Sequence, residues 1–214
     1  MHPKDFIALA EEIGVIVPLG DWAINEACRK LKEWQNHYPE HQGKRIAVNV
    51  SALQFHREEF VQEVAKALEV SGLAPQCLTL EITETAIMAD KERLTGRISD
   101  LRDLGVEIAM DDFGTGYSSM SSLAQLPISA VKLDRSFVKV IGEGWAPSAV
   151  IRAIVTLCKV MNLKVVAEGV ETQDQFTHLF TLGCDLAQGY LFSEPLTEPE
   201  LLSWLASFDP CIAA

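Results

Sequence analysis

Val106-Glu107-Ile108-Ala109-Met110-Asp111-Asp112-Phe113-Gly114-Thr115-Gly116-Tyr117-Ser118-Ser119 decides how this chain is read. It opens as a short apolar run of strand type and stops at two adjacent carboxylates, Asp111 and Asp112. A loop rich in glycine and serine comes next. An apolar strand that delivers Asp-Asp to its own end has set two like charges side by side. Such a pair is costly unless something positive neutralises it, and a divalent metal ion commonly does so. Taken alone, the same residues also suit an Asx-type turn in which Asp112 caps the loop after it. Recurrence along the chain is what separates the two readings.

Outward from this stretch, strand-like and helix-like segments alternate. Residues 46–50 and 77–82 precede it as short apolar strands, and 129–133, 163–167 and 185–190 come after it. Between them, apolar residues keep helical spacing: Phe60, Val64, Ala67 and Leu68; Ile98 and Leu101; Ile151, Ile154, Val155 and Cys158; Phe176 and Leu179. A last helix is predicted over 198–205, with Thr197 as its N-cap. The chain starts differently, with a helix through Phe6, Leu9, Ala10 and Ile13 that Gly14 ends. A second helix is expected to follow Gly20, with Ala23, Ala27, Leu31 and Trp34 on one face. Alternating strands and helices imply right-handed crossovers and a parallel sheet. The six strands are two short of a closed eight-stranded barrel, whose other two would precede residue 1 or be absent. An open doubly wound sheet is the competing architecture.

Composition bounds the function. The chain has 214 residues, 48% of them hydrophobic, which is enough for one substantial core. A formal net charge of −12 argues against long nucleic acid and anionic membranes as partners. A small anion stays open if metal ions carry the positive charge. The five cysteines are scattered, which predicts free thiols in a reducing, cytoplasmic setting. No run reaches transmembrane length, and Asp5, Glu11 and Glu12 interrupt any signal peptide. His56 and His178 stand alone and read as surface or structural residues.

The strand ends carry the chemistry. Asn49, Glu81, Asp111 with Asp112, Lys132 with Asp134, Glu168, and Gln188 sit at or near the ends of successive strands. In barrels and open α/β sheets the C-terminal strand ends are where active sites lie. Each residue alone is explained by a helix cap or a solvated loop, but six strands in register are not. Carboxylates with a carboxamide form an all-oxygen set suited to Mg²⁺, Mn²⁺ or Ca²⁺ rather than zinc. A lysine beside them suits a phosphate or a water activated for attack. The pattern reads as metal-assisted phosphoester chemistry, with two ions sharing Asp111.

The same residues resemble a known family. Asp111-Asp112-Phe113-Gly114-Thr115-Gly116-Tyr117-Ser118-Ser119, Asn49-Val50-Ser51, Leu80-Glu81-Ile82-Thr83-Glu84, Val131-Lys132-Leu133-Asp134-Arg135-Ser136-Phe137, Ala167-Glu168-Gly169-Val170-Glu171 and Gln188-Gly189-Tyr190-Leu191-Phe192 are similar to the motifs of the EAL-domain family. Family members are bacterial phosphodiesterases that hydrolyse cyclic di-GMP to linear pGpG on a modified TIM barrel. The resemblance implies a TIM-barrel-like α/β fold, here six-stranded with the first two strands missing, in a single domain truncated at its N-terminus. It implies that Asn49, Glu81 and Asp111 bind one metal and that Asp111, Asp112 and Glu168 bind a second, as Mg²⁺ or Mn²⁺. Lys132 would contact the attacking water or the phosphate, with Asp134 nearby to orient it. Glu84 would brace the loop that starts at Asp112, and Glu171 and Gln188 would complete the substrate shell. The chain contains no Glu-Ala-Leu, the signature that names the family, and lacks the arginine that goes with it. A non-catalytic module that binds cyclic di-GMP or a protein partner is therefore the alternative to an enzyme. A homodimer and an upstream sensor or GGDEF-type domain are the expected partners.

Overall fold

A computed structural model describes residues 3–38, 41–116, 120–142 and 145–208. Tyr117, Ser118, Ser119 and Cys211 lie outside the described residues. The order of elements is α1 (Pro3–Glu12), α2 (Ile16–His37), β1 (Ile46–Val50), α3 (Ala52–Phe55), α4 (Phe60–Ser71), β2 (Leu78–Thr83), α5 (Glu84–Met88), α6 (Lys91–Asp103), β3 (Glu107–Phe113), α7 (Met120–Leu123), β4 (Ala130–Leu133), α8 (Arg135–Lys139), α9 (Trp145–Val160), β5 (Lys164–Glu168), α10 (Gln173–Leu182), β6 (Leu186–Gln188) and α11 (Glu198–Ser207).

The six strands form one parallel sheet in chain order, curled into a half-barrel with helices. Of the two architectures open from periodicity, the barrel type is the one found. An open doubly wound sheet would interleave its strands, whereas here every strand pairs with its neighbour in sequence. Alternation along each strand divides the side chains between two faces. On one face Leu78, Leu80, Ile82, Ile108, Met110, Val131, Leu133 and Val165 are fully buried. They share a core with Phe60 and Val64 of α4, Leu94, Ile98 and Leu101 of α6, and Ile151 and Cys158 of α9. Each such side chain contributes about 1.5–3 kcal/mol on burial, so this face holds the sheet together. The other face is free to carry polar groups.

The second helix begins four residues before Gly20, not after it. Pro18 falls in its first turn, where a missing N–H costs nothing. Gly20 is tolerated inside because α2 passes close to Gln54, and a Cβ there would lie 2.2 Å from Gln54 Oε1. The glycine marks a close approach of α2 to α3 rather than an end.

Several strands run directly into a capping residue and a short helix. Ser51 accepts a hydrogen bond from the Gln54 N–H at 3.1 Å, and Thr83 accepts one from the Ala86 N–H at 3.3 Å. Asp134 accepts one from the Ser136 N–H at 2.9 Å. Each cap turns the chain back as soon as the strand ends, so the last strand residue faces an open mouth. Thr197 heads α11 as expected, its N–H donating to the Glu200 carboxylate at 2.8 Å.

The four described cysteines are free, with Cys28, Cys77 and Cys158 buried. His56 Nδ1 lies 2.6 Å from the Ala52 carbonyl oxygen, and His178 Nε2 lies 2.9 Å from Ser148 Oγ. Among the described residues no helix is long and apolar enough to cross a membrane.

Candidate active site

The carboxyl ends of β2, β3, β4 and β5 converge on one ammonium group. Lys132 is 3% exposed, and its Nζ lies 2.6 Å from Glu81 Oε2, 3.2 Å from Asp111 Oδ1 and 2.5 Å from Glu168 Oε1. Four strands thus contribute one charged side chain each. The stagger between neighbouring strands lets residues so far apart in sequence meet.

A local irregularity adds the fifth group. Adjacent residues of a regular strand point to opposite faces, which would send Asp112 away from Asp111. The pairing of β3 with β4 instead shifts register between Met110 and Phe113, and Asp112 adopts φ 53°. Asp tolerates this left-handed conformation better than most residues, at a cost of roughly 1–2 kcal/mol. As a result, Asp111, Asp112 and Glu168 each offer an oxygen within 4.8 Å of the others. The loop after Asp112 is held from below. Glu84 is 2% exposed, and its Oε2 accepts the Gly114 N–H at 2.9 Å. Gly114 has φ 94°, and a Cβ there would lie 2.5 Å from the Phe137 ring, so only glycine fits.

Electrostatics stem from burial. Burial raises the Glu168 carboxyl above its usual range; the bond from Lys132 opposes this, while Asp111 and Glu81 add to it. Glu81 is raised for the same reason, with Lys132 opposing and Asp111 adding. Burial disfavours the Lys132 charge, but Glu81, Asp111 and Glu168 outweigh it and raise that pKa. The directions agree, since one cation is shared among three anions. The ammonium is over-supplied with partners and each carboxylate is under-supplied. An additional cation is what this cluster lacks, and its all-oxygen donors fit a hard divalent ion such as Mg²⁺ or Mn²⁺.

The remaining predicted residues are placed less tightly. Asn49 stands opposite Glu81 in the β1–β2 register but is exposed. Gln188 stands opposite Glu168 and is also exposed. Asp134 makes no ion pair with Lys132 among the described residues. Its carboxylate caps α8 instead; burial alone would raise its pKa, but the bonds from Ser136 hold it below the usual range. Asp112, Asp134, Glu168, Glu171 and Gln188 nevertheless line one cleft of about 740 Å³, joined there by Arg135, Lys139 and Tyr190. Those last three were not singled out from sequence. Arg135 and Tyr190 lie inside the quoted motifs, but only the turn of α8 shows that Arg135 and Lys139 share the cleft. A neighbouring cavity of about 800 Å³ between α10, β6 and α11 is lined mostly by apolar residues and by none of Glu81, Asp111, Asp112 or Glu168, so the chemistry belongs to the more polar cleft.

A half-barrel of parallel strands with acidic groups gathered at their carboxyl ends defines the class of α/β-barrel proteins whose site lies at that end of the sheet. Residues 1–195 match the EAL domain family, and the chain belongs to that family. It is 42% identical over 211 residues to the oxygen sensor protein DosP of Escherichia coli, covering 97% of this chain and 26% of DosP. It is 42% identical over 204 residues to the bifunctional diguanylate cyclase/cyclic di-GMP phosphodiesterase MucR of Pseudomonas aeruginosa, covering 95% of this chain and 30% of that protein. The solved cyclic di-GMP complex of the PaMucR phosphodiesterase superimposes with a TM-score of 0.89 at 42% identity, covering 94% of this chain and 81% of that one. The cGMP-bound form of the EAL enzyme Bd1971 superimposes with a TM-score of 0.90 at 35% identity, covering 95% of this chain and 55% of that one. The chain thus spans about a quarter to a third of the length of these curated relatives.

Proposed function

We propose that this chain hydrolyses cyclic di-GMP to linear pGpG in a metal-dependent reaction. The observation that supports this best is the convergence of Glu81, Asp111 and Glu168 on Lys132, with Asp112 alongside. In the reaction a water oxygen bonds to phosphorus, one P–O ester bond breaks, and the departing ribose oxygen takes up a proton. Asp111, Asp112 and Glu168 would hold one divalent ion, and Glu81, Asp111 and Asn49 a second. Such ions supply positive charge against the phosphate oxygens and make a water more acidic. Lys132 Nζ donates to a phosphate oxygen or to the attacking water, fixing the line of attack. Glu171, Gln188 and Asp134 line the cleft and orient the nucleotide. Glu84, through the Gly114 N–H, keeps Asp112 aimed at the site.

A second reading is a module that binds cyclic di-GMP without turning it over. The two readings share a fold, and they share partners, which we take to be cyclic di-GMP, a second copy of the chain and an upstream sensor or GGDEF-type domain. One experiment divides them. Hydrolysis of cyclic di-GMP is monitored with Mg²⁺ or Mn²⁺, with Glu168→Ala as control and binding measured separately in EDTA. Formation of pGpG by the wild type but not by the control supports the enzyme. Binding without turnover in both supports the module, and neither binding nor turnover overturns both readings.

A further inference from the structure

At the opposite end of the sheet lies a cavity of about 400 Å³. Its charged and polar walls are Arg102 at the end of α6, Lys159 in the last turn of α9, Lys164 opening β5, and Ser129 and Asn162 in the loops before β4 and β5. Glu107 and Asp185 also reach it, but both are already engaged. Glu107 is ion-paired with Arg45 and stands 3.9 Å from Lys164. Asp185 accepts the Val165 N–H at 2.8 Å. Among the described residues, Arg102 and Lys159 have no side-chain hydrogen bond or ion pair.

In a chain of net charge −12, cations are scarce and acids abundant. Three exposed cations, two of them unpartnered, face one cavity that Glu107 and Asp185 also line, and an anion seated there would meet all three. The set also has the right forms. A guanidinium presents a planar fork of donors, and the ammonium groups supply compact charge. This is the chemistry that recognises a phosphate. The cavity is larger than a bare ion needs and falls within the usual range for small-molecule sites, roughly 300–1,000 Å³.

We infer that this cavity, bounded by Arg102, Lys159 and Lys164 at the amino end of the sheet, binds a phosphate group, either free or carried by a small phosphomonoester. The inference is independent of the hydrolytic reading, since the two sites share no residue. A competing structural role exists for Lys159. A Cβ on Gly183 would meet Lys159 Nζ at 2.3 Å, so this ammonium sits at the C-terminal cap of α10, where a cation also offsets the helix dipole.

The test is calorimetric titration of the intact chain in EDTA with inorganic phosphate and, separately, with 5′-GMP, at constant ionic strength set by chloride. Saturable binding of either probe is expected, weakened at least about tenfold in the double variant R102Q/K159Q. It should be unchanged in E168Q, which reports on the carboxylate end. If phosphate alone saturates, the ligand is the free ion; if 5′-GMP binds tighter, it is the ester. No saturation up to about 20 mM of either probe would overturn the inference. Equal affinity in the double variant would overturn it too, and a lower Tm alongside would assign the cations to helix capping. The single variant R102Q guards against misfolding, because Arg102 is away from α10 and should still lose affinity.

Discussion

The centre of the sheet and its margins obey different rules. In β2, β3, β4 and β5, Glu81, Asp111, Lys132 and Glu168 are half-buried or buried and bound to one another through Lys132, while Asp112, displaced by the shift in β3, is exposed. In β1 and β6 the groups at matching heights, Asn49 and Gln188, are exposed. The apolar residues show the same divide. Ala109 and Ala130 are buried on the site-bearing face, whereas Leu186 on β6 is 57% exposed. A strand with neighbours on both sides has its rotamers set by packing, and a strand with one neighbour does not. Half of this site is therefore held in place by the fold itself.

Activity gives the largest test of that divide. Glu168→Ala should lower cyclic di-GMP hydrolysis on the order of 10²–10³-fold, while Asn49→Ala should cost on the order of tenfold. Steady-state assays at matched Mn²⁺ check this, and equal losses would show that the margin is as organised as the centre. Stability comes next. Lys132→Met leaves Glu81, Asp111 and Glu168 facing one another without a counter-charge, and should cost about 3–5 kcal/mol in EDTA. Excess Mg²⁺ or Mn²⁺ should return part of that loss in denaturant melts, as binding to the native state must.

Packing provides a third measure. Ile108→Ala, at a fully buried central position, should cost about 2–5 kcal/mol. Leu186→Ala should stay within about 1 kcal/mol, and urea titrations at constant m-value compare the two. Dependence on pH should be the smallest effect. Burial raises the Glu168 and Glu81 carboxyls in the native state, so the folded chain holds protons that the unfolded chain releases. Stability in EDTA should therefore fall as pH rises from 4.5, the ordinary glutamate value, through the raised native values. Lys132 has the same sign in a higher window: its contribution is complete below 10.5 and fades as pH rises beyond it. The difference in Tm between wild type and Glu168→Gln, tracked across pH in EDTA, isolates the glutamate part.

Much of this was readable from the chain. Strand positions were legible because an apolar segment between turn residues has few alternatives once helices of regular spacing separate it from the next. The site residues were legible as a recurring event, a polar residue at the end of each strand. Three features were not. Gly20 looks like a stop, and only the nearness of Gln54 shows why a helix passes through it. Asp134 is read as a site residue near Lys132, and its cap on Ser136 is visible only once the chain turns into α8. The role of Lys132 as a shared partner of three carboxylates depends on the stagger of four strands, which leaves no mark in any one of them.

The sequence by itself determined which residues are available, that Asp111 and Asp112 end a strand, and that the sheet is parallel. Those depend on hydrophobic period and turn chemistry, which are local. Tertiary structure decided that Asp111 and Asp112 face the same way, through a shift in β3 and a left-handed Asp112. It also decided that the central carboxylates share one cation while Asn49 and Gln188 stand apart. Both outcomes depend on which strands flank which, and burial between neighbours is a property that no single segment contains.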